Sequence, residues 1–342
     1  MNTKTFLSGY HQRQRRYYWV SGLLIILLGG LSVANLALGS TVYSLDTIFE
    51  VLSGKSVEGA SFTLLNLRLP RVVVGLLTGI ALGAAGNTFQ SLLRNPLASP
   101  DIIGITAGSS SAAVFCLLVL NISGGIVSAI ALLFGLAVAA LIYLLSRGKG
   151  FSKGRLILIG IGIQSMLYAV IDYILLKSAP NDLPAAMRWL KGSLNGAQMD
   201  RVPLLLVAVV IGVVFILILS RRLQVMQLGD AVAFTLGVNV KVSYILFISL
   251  AVCLISFATS VSGPIASVAL LSGPIASALV GRSHANTMLA ALVGATLVLL
   301  ADFIGQHAFA IRYPVGVITG LLGAPYLLLL LSKVYRKGGR IS

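Results

Sequence analysis

The stretch 202-VPLLLVAVVIGVVFILILS-220 runs for 19 residues without a charged side chain. A helix needs about 20 such residues to cross the hydrocarbon core of a bilayer. Similar runs recur from Val20 to Leu331, and of all 342 residues 57% are apolar and only 10% are charged. A soluble domain carries about 25% charged residues. The composition therefore excludes a soluble enzyme, a disordered chain and a nucleic-acid-binding module, and the lack of strict polar–apolar alternation disfavours a transmembrane β-barrel.

The predicted fold class is an all-α polytopic membrane protein with about ten transmembrane helices. The predicted spans are 19–39, 69–92, 101–120, 124–146, 156–177, 202–220, 242–260, 262–281, 286–308 and 315–333. Because these spans leave only short loops, we predict one membrane domain over residues 1–342, with a cytoplasmic N-terminal segment at 1–18 and a cytoplasmic tail at 334–342. The eighth span is the least regular, since Pro264 and Pro274 interrupt it.

The distribution of charge predicts the orientation. The chain has 25 Lys and Arg and 9 Asp and Glu, for a net charge of +16. If the N-terminus is cytoplasmic, 17 of the 25 basic residues fall on the cytoplasmic side. The positive-inside rule favours this arrangement, with both termini in the cytoplasm. In the long outer loop 40–68, the apolar spacing of residues 45–52 predicts a short interfacial helix.

Catalytic machinery is not evident in the sequence. It contains no Walker A pattern, so we do not expect this chain to hydrolyse ATP. The three histidines are scattered and no metal-ligand spacing occurs, so no catalytic residue, metal or bound cofactor is predicted. Asp172 and Asp302 lie well inside predicted spans. Because an ionised Asp at a helix centre is costly, each is expected to be paired, to lie near a span end, or to be functional.

Interruptions of the apolar runs are candidates for a transport pathway. Gly263-Pro264 and Gly273-Pro274 each free backbone groups that must find partners in protein or water. Asn95-Pro96 opens a polar connection between the second and third spans. In the second span, Gly75, Gly79 and Gly83 share one helical face. This spacing is typical of close helix packing, and it also suits a mobile seam beside a pathway.

Two polar stretches point to partner surfaces. Arg68 and Arg71 lie where the second span enters from outside, against the orientation bias. They either extend to lipid phosphates or dock acidic residues of an external partner, because a guanidinium binds a carboxylate in a bidentate manner. Residues 227–238, on the cytoplasmic side, are predicted to form a short helix against another protein.

In these features the chain resembles the FecCD-type permeases of ABC importers, which move iron–siderophore complexes, haem or cobalamin. The resemblance covers about Arg68 to Leu331. Its motifs, weak singly but consistent in order and spacing, are Arg68-Leu69-Pro70-Arg71, Asn95-Pro96-Leu97-Ala98 with Pro100, Gly104 and Gly108, Trp189 with Gly192-Ser193, Leu228-Gly229, Leu236-Gly237, Ala301-Asp302, Pro314-Val315-Gly316-Val317 and Gly323-Ala324-Pro325.

The resemblance implies a type II ABC importer permease fold in the bacterial cytoplasmic membrane. The implied partners are a second permease subunit, in a homo- or heterodimer, a cytoplasmic ABC ATPase dimer that uses ATP, and an extracytoplasmic substrate-binding protein. Arg68 and Arg71 inherit the family's role of docking the binding protein. ATPase coupling falls to Leu228, Gly229, Asp230, Ala233, Leu236 and Gly237. The pathway or helix-break positions are Asn95, Pro96, Gly104, Gly108, Gly263, Pro264, Gly273 and Pro274.

The chain departs from the family pattern at several positions. Gln306 stands four residues after Asp302, where the family often has an outward Arg. We therefore predict that Arg312 supplies the missing charge to the docking surface. The favoured substrate is a ferric siderophore, with haem and cobalamin as alternatives. Other function classes left open are an ion-coupled secondary transporter using Asp172 or Asp302, and an intramembrane protease. The protease would use Ser109 or Ser110 with His307, or Asp172 with Asp302 as an aspartyl pair.

Overall fold

The computed structural model describes residues 3–146, 153–281 and 286–338, and every regular element within these ranges is helical. The α-helices are α1 Thr3–Ala37, α2 Leu45–Leu52, α3 Leu69–Leu93, α4 Ile105–Leu118, α5 Gly125–Ser146, α6 Lys153–Lys177, α7 Leu183–Leu190, α8 Val202–Ile218, α9 Ser220–Gln227, α10 Asp230–Thr235, α11 Val240–Ser262, α12 Val268–Val280, α13 Thr287–His307 and α14 Val315–Gly338. Residues 339–342 of the predicted tail lie outside the described residues.

The predicted number of spans is confirmed within the described ranges. Seven helices are long and apolar enough to cross a membrane, and three further apolar stretches are shorter, namely α4, α12 and Val315–Leu329 of α14. The 14 residues of α4 rise only about 21 Å. A 3₁₀ turn at Pro100–Ile103 precedes α4, and the irregular segment 263–267 precedes α12. These segments lengthen the two short helices, and Pro100, Gly263 and Ile265 within them are buried.

Helix α2 lies where the sequence predicts it, whereas helix α1 is longer than predicted. The short helix α2 is confirmed at Leu45–Leu52, where Ile48 and Val51 are buried and the Ser44 Oγ accepts a hydrogen bond from the Thr47 N–H at 3.2 Å. Helix α1 begins at Thr3, well before the predicted span at residue 19. The earlier start arises because Gln, Arg and Lys are good helix formers but do not add to an apolar run.

Helix α3 lies at the centre of the bundle and packs against α13, α11, α12 and α8. Its glycines allow direct backbone contact. A Cβ on Gly83 would lie 2.2 Å from the Ala290 oxygen, and one on Gly86 would lie 1.9 Å from the Ala269 oxygen. From the opposite helix, a Cβ on Gly294 would lie 2.2 Å from the Gly79 oxygen. These contacts support the packing interpretation of the glycine row, because only glycine lets the backbones approach so closely.

Candidate functional site

We name the end of the bundle where α3 begins the outer end and the opposite end the inner end, after the predicted orientation. At the outer end, a buried ion pair joins α3 to α13. Arg71 donates from Nε to Asp302 Oδ2 and from Nη2 to Oδ1, both at 2.8 Å. The side chains are 18% and 2% exposed, respectively. Gln306 Nε2 also donates to Asp302 Oδ2 at 2.8 Å. The carboxylate is thus well satisfied, which confirms the expectation that Asp302 is paired, and the fork of Arg71 is directed into the bundle.

Arg68 is bound to the end of α1. Its Nη1 donates to the Leu36 oxygen at 2.5 Å and its Nη2 to the Thr41 oxygen at 2.6 Å. Its guanidinium also lies 4.8 Å from the centre of the Tyr43 ring. Hydrogen bonds with Thr41 and Thr63 and the charge of Arg68 lower the pKa of the Tyr43 phenol. Arg68 therefore satisfies carbonyl groups that a helix C-terminus leaves open.

Arg312 differs from these two arginines. It is exposed in the connection between α13 and α14 and makes no hydrogen bond or ion pair with any residue that the structure describes. Because α3 begins and α13 ends on the same side of the bundle, Arg68, Arg71 and Arg312 share one end of the molecule. Docking by all three stays a prediction, and Arg312 is the one whose guanidinium faces outward.

The helix break at Gly263-Pro264 belongs to a backbone junction at this outer end. A Cβ on Gly263 would lie 2.5 Å from the Trp189 oxygen, and one on Gly192 would lie 2.4 Å from the Pro264 oxygen. The Ser193 N–H donates to the Ser262 oxygen at 2.7 Å, and the Gly316 N–H donates to the Gly192 oxygen at 3.1 Å. The ends of α7 and α11 and the start of α14 therefore satisfy one another's backbone groups.

Gly273-Pro274 does not break α12, and in this respect the prediction of a helix break is wrong. The helix continues from Val268 to Val280. Pro274 has no N–H to donate to the Leu270 oxygen, and Gln90 Nε2 donates to that oxygen instead, at 2.9 Å. A Cβ on Gly273 would lie 2.1 Å from Gln90 Oε1. This role of Gln90 was not predicted, although a polar residue within the apolar second span could have indicated it.

The Asn95-Pro96 connection follows the inner end of α3, and the two glycines after it lie at the start of α4 and within it. Asn95 Oδ1 accepts from the Leu97 N–H at 2.9 Å, which forms a tight turn. Gly104 adopts φ +71° between the 3₁₀ turn and α4. A Cβ on Gly108 would lie 2.9 Å from Val138 Cγ2, so this glycine serves the packing of α4 on α5. A pathway role for these positions stays a prediction.

Residues 227–238, which we name the coupling segment, lie at the inner end. They comprise the end of α9, helix α10 and the glycines that flank α10, with φ +123° at Gly229 and +80° at Gly237. Ala233 is fully buried, whereas Leu228, Phe234 and Leu236 are each at least 60% exposed. Phe234, the most exposed of the three, lies within the predicted segment but is not one of the six positions predicted for coupling. An apolar surface of this kind on a short polar-flanked helix is suited to contact with another protein.

Side chains connect the coupling segment to α3. Arg94, which ends α3 in the left-handed conformation at φ 56°, forms an ion pair from Nη2 to Asp230 Oδ1. The Tyr244 hydroxyl on α11 lies 3.2 Å from Asp230 Oδ1 and 3.3 Å from the Leu92 oxygen. A phenol has one proton, so Tyr244 shares it between these two acceptors.

The residues considered for a protease are engaged elsewhere. Ser109 Oγ donates to the Ala131 oxygen at 2.9 Å, and His307 Nδ1 lies 2.9 Å from the Phe303 oxygen. Asp302 is paired with Arg71, while Asp172 is exposed on α6. Within the described ranges, no group of three or more His, Cys, Asp or Glu residues could hold a metal ion.

Comparison with known proteins gives consistent results. Residues 23–333 match the FecCD transport family. The chain is 35% identical to the ferric enterobactin transport system permease protein FepG of Escherichia coli (strain K12), over 92% of this chain and 96% of that protein. It is 34% identical to the Fe(3+)-citrate import system permease protein YfmE of Bacillus subtilis (strain 168), over 95% and 98%.

A third relative and a solved structure extend the comparison. The hemin transport system permease protein HmuU of Yersinia pestis is 33% identical, over 91% of this chain and 95% of that protein. A solved metal-chelate type ABC transporter in an inward-facing conformation superposes with a TM-score of 0.80 at 29% identity, covering 93% of this chain and 99% of its own. The likeness thus includes both the sequence and the arrangement of helices.

Proposed function

Since this chain belongs to the FecCD transport family, we propose that it is the permease subunit of an ATP-driven importer of ferric siderophores. It is a multi-pass membrane protein with a transport role. In the proposed cycle, a binding protein delivers the chelate at the outer end, and two permease subunits open in turn to the outside and the inside. A separate ATPase supplies the energy, because this chain has no Walker A pattern.

One observation carries the substrate assignment. The relatives named as ferric enterobactin and iron-citrate permeases each match this chain over more than 90% of both lengths, at 35% and 34% identity, against 33% for the hemin permease. Such end-to-end matches include the whole membrane bundle and not one shared motif. The substrate class is therefore inferred from proteins of the same architecture throughout.

The two ends of the bundle are compatible with the proposed partners. The exposed apolar surface of the coupling segment suits an ATPase subunit, and family membership implies such a partner. Arg312, with the nearby Arg68 and Arg71, suits acidic residues of a binding protein. On α6, the exposed residues include Ile161, Met166 and Tyr173. We propose that this surface contacts the second permease subunit.

We further propose that the chain lies in the bacterial cytoplasmic membrane with both termini in the cytoplasm. The coupling segment and the start of α1 then lie on the same side. Most Lys and Arg residues also lie on that side, as the positive-inside rule requires.

Uptake of labelled chelates tests the function. Cells that lack this chain should lose uptake of ⁵⁵Fe-labelled ferric enterobactin or ferric citrate, and the plasmid-borne gene should restore it. Vesicles with the reconstituted permease–ATPase–binding-protein complex should accumulate the same chelate only when ATP is present on the ATPase side. Uptake that persists after loss of the ATPase would instead identify an ion-coupled transporter.

Haem is the second candidate substrate, because the Yersinia pestis relative at 33% identity is a hemin transport permease. The same vesicles offered haemin in place of ferric chelates distinguish the two. Accumulation of haemin without accumulation of either ferric chelate would reassign the substrate and leave the ATP-driven mechanism intact. Cobalamin serves as a third probe in the same assay.

A further inference from the structure

Arg94, Asp230 and Tyr244 form a polar cluster between the coupling segment and α3. We propose that this cluster is a latch through which movement of the coupling segment is transmitted to α3, with Arg94 and Tyr244 as positioning residues. The proposal rests on the proposed function, since an ATPase must move the coupling segment. The structural observation behind it is independent of that function.

Arg94 is attached rigidly to the last turn of α3. Its N–H donates to the Ser91 oxygen at 3.3 Å, and the next N–H, of Asn95, donates to the Gln90 oxygen at 3.1 Å. These bonds close the C-terminus of α3 around a left-handed residue, as a helix cap does. A force on the Arg94 guanidinium therefore acts on the helix itself and not on a loose connection.

Asp230 has the corresponding position on the other side. It is the first residue of α10, directly after Gly229 at φ +123°. The helix dipole favours an acidic side chain in the first helical turn. The Asp230 carboxylate is therefore held at the start of α10 and is expected to move with that helix. Tyr244, which is 2% exposed, holds the same carboxylate from α11. The cluster thus joins α10, α11 and α3 at one carboxylate.

The packing of α3 makes it a suitable element to receive this movement. Gly83 and Gly86 bring its backbone into direct contact with α13 and α12. Packed interfaces of this density shift between discrete arrangements and do not deform continuously. A displacement of the inner end is therefore expected to move α3 as a rod.

Helix α9 also packs against α3, and its Leu223 and Met226 are buried in the same apolar cluster as Leu92 of α3. Apolar contacts allow neighbouring helices to slide, because they are not directional. The ion pair and the shared phenol proton are directional, so they set the register between α10 and α3. Removal of the ion pair is therefore expected to loosen the connection between α10 and α3, while the apolar contacts keep α9 packed on α3.

Hydrogen exchange of the permease alone in lipid nanodiscs tests the physical link. The variants are Arg94→Gln and Asp230→Asn, and the control is Lys55→Gln, which removes an exposed ion pair with Glu50 far from α3. Each test variant should accelerate exchange about two- to fivefold in peptides over both 90–96 and 228–236, as loss of an exposed ion pair predicts. The control should change neither peptide. If Asp230→Asn accelerates only 228–236, the latch is overturned, whether or not the chain transports anything.

The ratio of ATP hydrolysed to chelate transported tests the role in transmission. In vesicles with the ATPase and binding protein, each variant should raise this ratio about two- to fivefold. The double variant Arg94→Gln/Asp230→Asn should raise it no further than either single variant, because both remove the same interaction. If uptake and hydrolysis fall in the same proportion, the cluster only positions the coupling segment for docking, and the transmission proposal fails. If the wild-type complex transports none of the chelates, the proposed function fails, while the exchange experiment still decides the latch.

Discussion

The two ends of α3 are each held by an Arg–Asp ion pair, and the two pairs have very different surroundings. The outer pair, Arg71–Asp302, is bidentate, with its carboxylate only 2% exposed. In the inner pair, Arg94 is 35% exposed and Asp230 is 45% exposed. Burial makes the outer pair costly to break, whereas water can replace the inner pair at little cost.

The difference indicates which end of α3 is able to move. An end fixed to α13 by a dehydrated ion pair keeps its position relative to that helix. An end held by a hydrated pair is free to follow its partner as that partner moves, because no dehydrated contact fixes it. Under the proposed function, the hydrated end is the one that the ATPase drives, so α3 is anchored outside and adjustable inside.

The largest expected effect comes from Arg71→Met. This change leaves the Asp302 carboxylate buried, with the hydrogen bond from Gln306 still in place. Removal of one partner of a buried ion pair costs about 3–5 kcal/mol. The free energy of unfolding, measured by denaturant titration in mixed micelles, should fall by about that amount.

The matched control for this change is the double variant Arg71→Met/Asp302→Leu. Two apolar residues replace both charges, so most of the lost stability should return. If Arg71→Met alone costs less than about 1 kcal/mol, the outer pair behaves like a surface pair. The contrast between the two ends of α3 would then disappear.

The second largest effect on stability is expected at the glycine contacts of α3, which lie between its two ion pairs. Gly83→Ala places a methyl group where the Ala290 oxygen lies 2.2 Å away. Forcing an extra methyl group into a packed core costs about 1–3 kcal/mol. Gly30→Ala on α1 is the control, because no atom lies within 4 Å of the added Cβ. A Gly83→Ala variant as stable as Gly30→Ala would show that α3 and α13 separate easily.

The sequence predicted the helices of this molecule far better than the contacts between them. The ten spans were found because each is a long apolar run, and the predicted site residues Arg71 and Asp230 lie at opposite ends of α3. The partners of the arginines were not predictable, since Arg71 and Asp302 are 231 positions apart and Arg94 and Asp230 are 136 apart. A single sequence carries no pairing information over such distances. The continuity of α12 was missed for the same reason, because Gln90 compensates for Pro274 from another helix.

That compensation can be tested at Gln90, in the last turn of α3. Gln90→Leu removes the donor to the Leu270 oxygen and leaves a buried acceptor open, at a cost of about 1–2 kcal/mol. Adding Pro274→Ala restores a backbone N–H four residues after Leu270. The double variant should therefore be more stable than Gln90→Leu alone. Equal stability of the two would mean that α12 does not use the Gln90 bond.

The inner pair should affect stability least among the contacts of α3. Arg94→Gln is expected to lower the free energy of unfolding by at most about 1 kcal/mol, because both partners are hydrated. The same titration that reports on Arg71→Met provides the measurement. A loss comparable to that of Arg71→Met would mean that the inner end of α3 is as firmly anchored as the outer end.

Arg312 brings the comparison back to the outer end, where the predicted docking residues differ in availability. Arg68 and Arg71 are bound within the bundle, whereas Arg312 is exposed without a partner among the described residues. Arg312→Glu should leave stability unchanged and weaken binding-protein affinity roughly tenfold at low salt, since a lost attraction becomes a repulsion. Arg221→Glu makes the same charge change on an exposed inner residue and should leave that affinity intact. If titration of the binding protein onto nanodisc-held permease gives equal affinities for both variants, Arg312 is not a docking residue. Docking would then require Arg68 or Arg71 to exchange its internal partner for one on the binding protein.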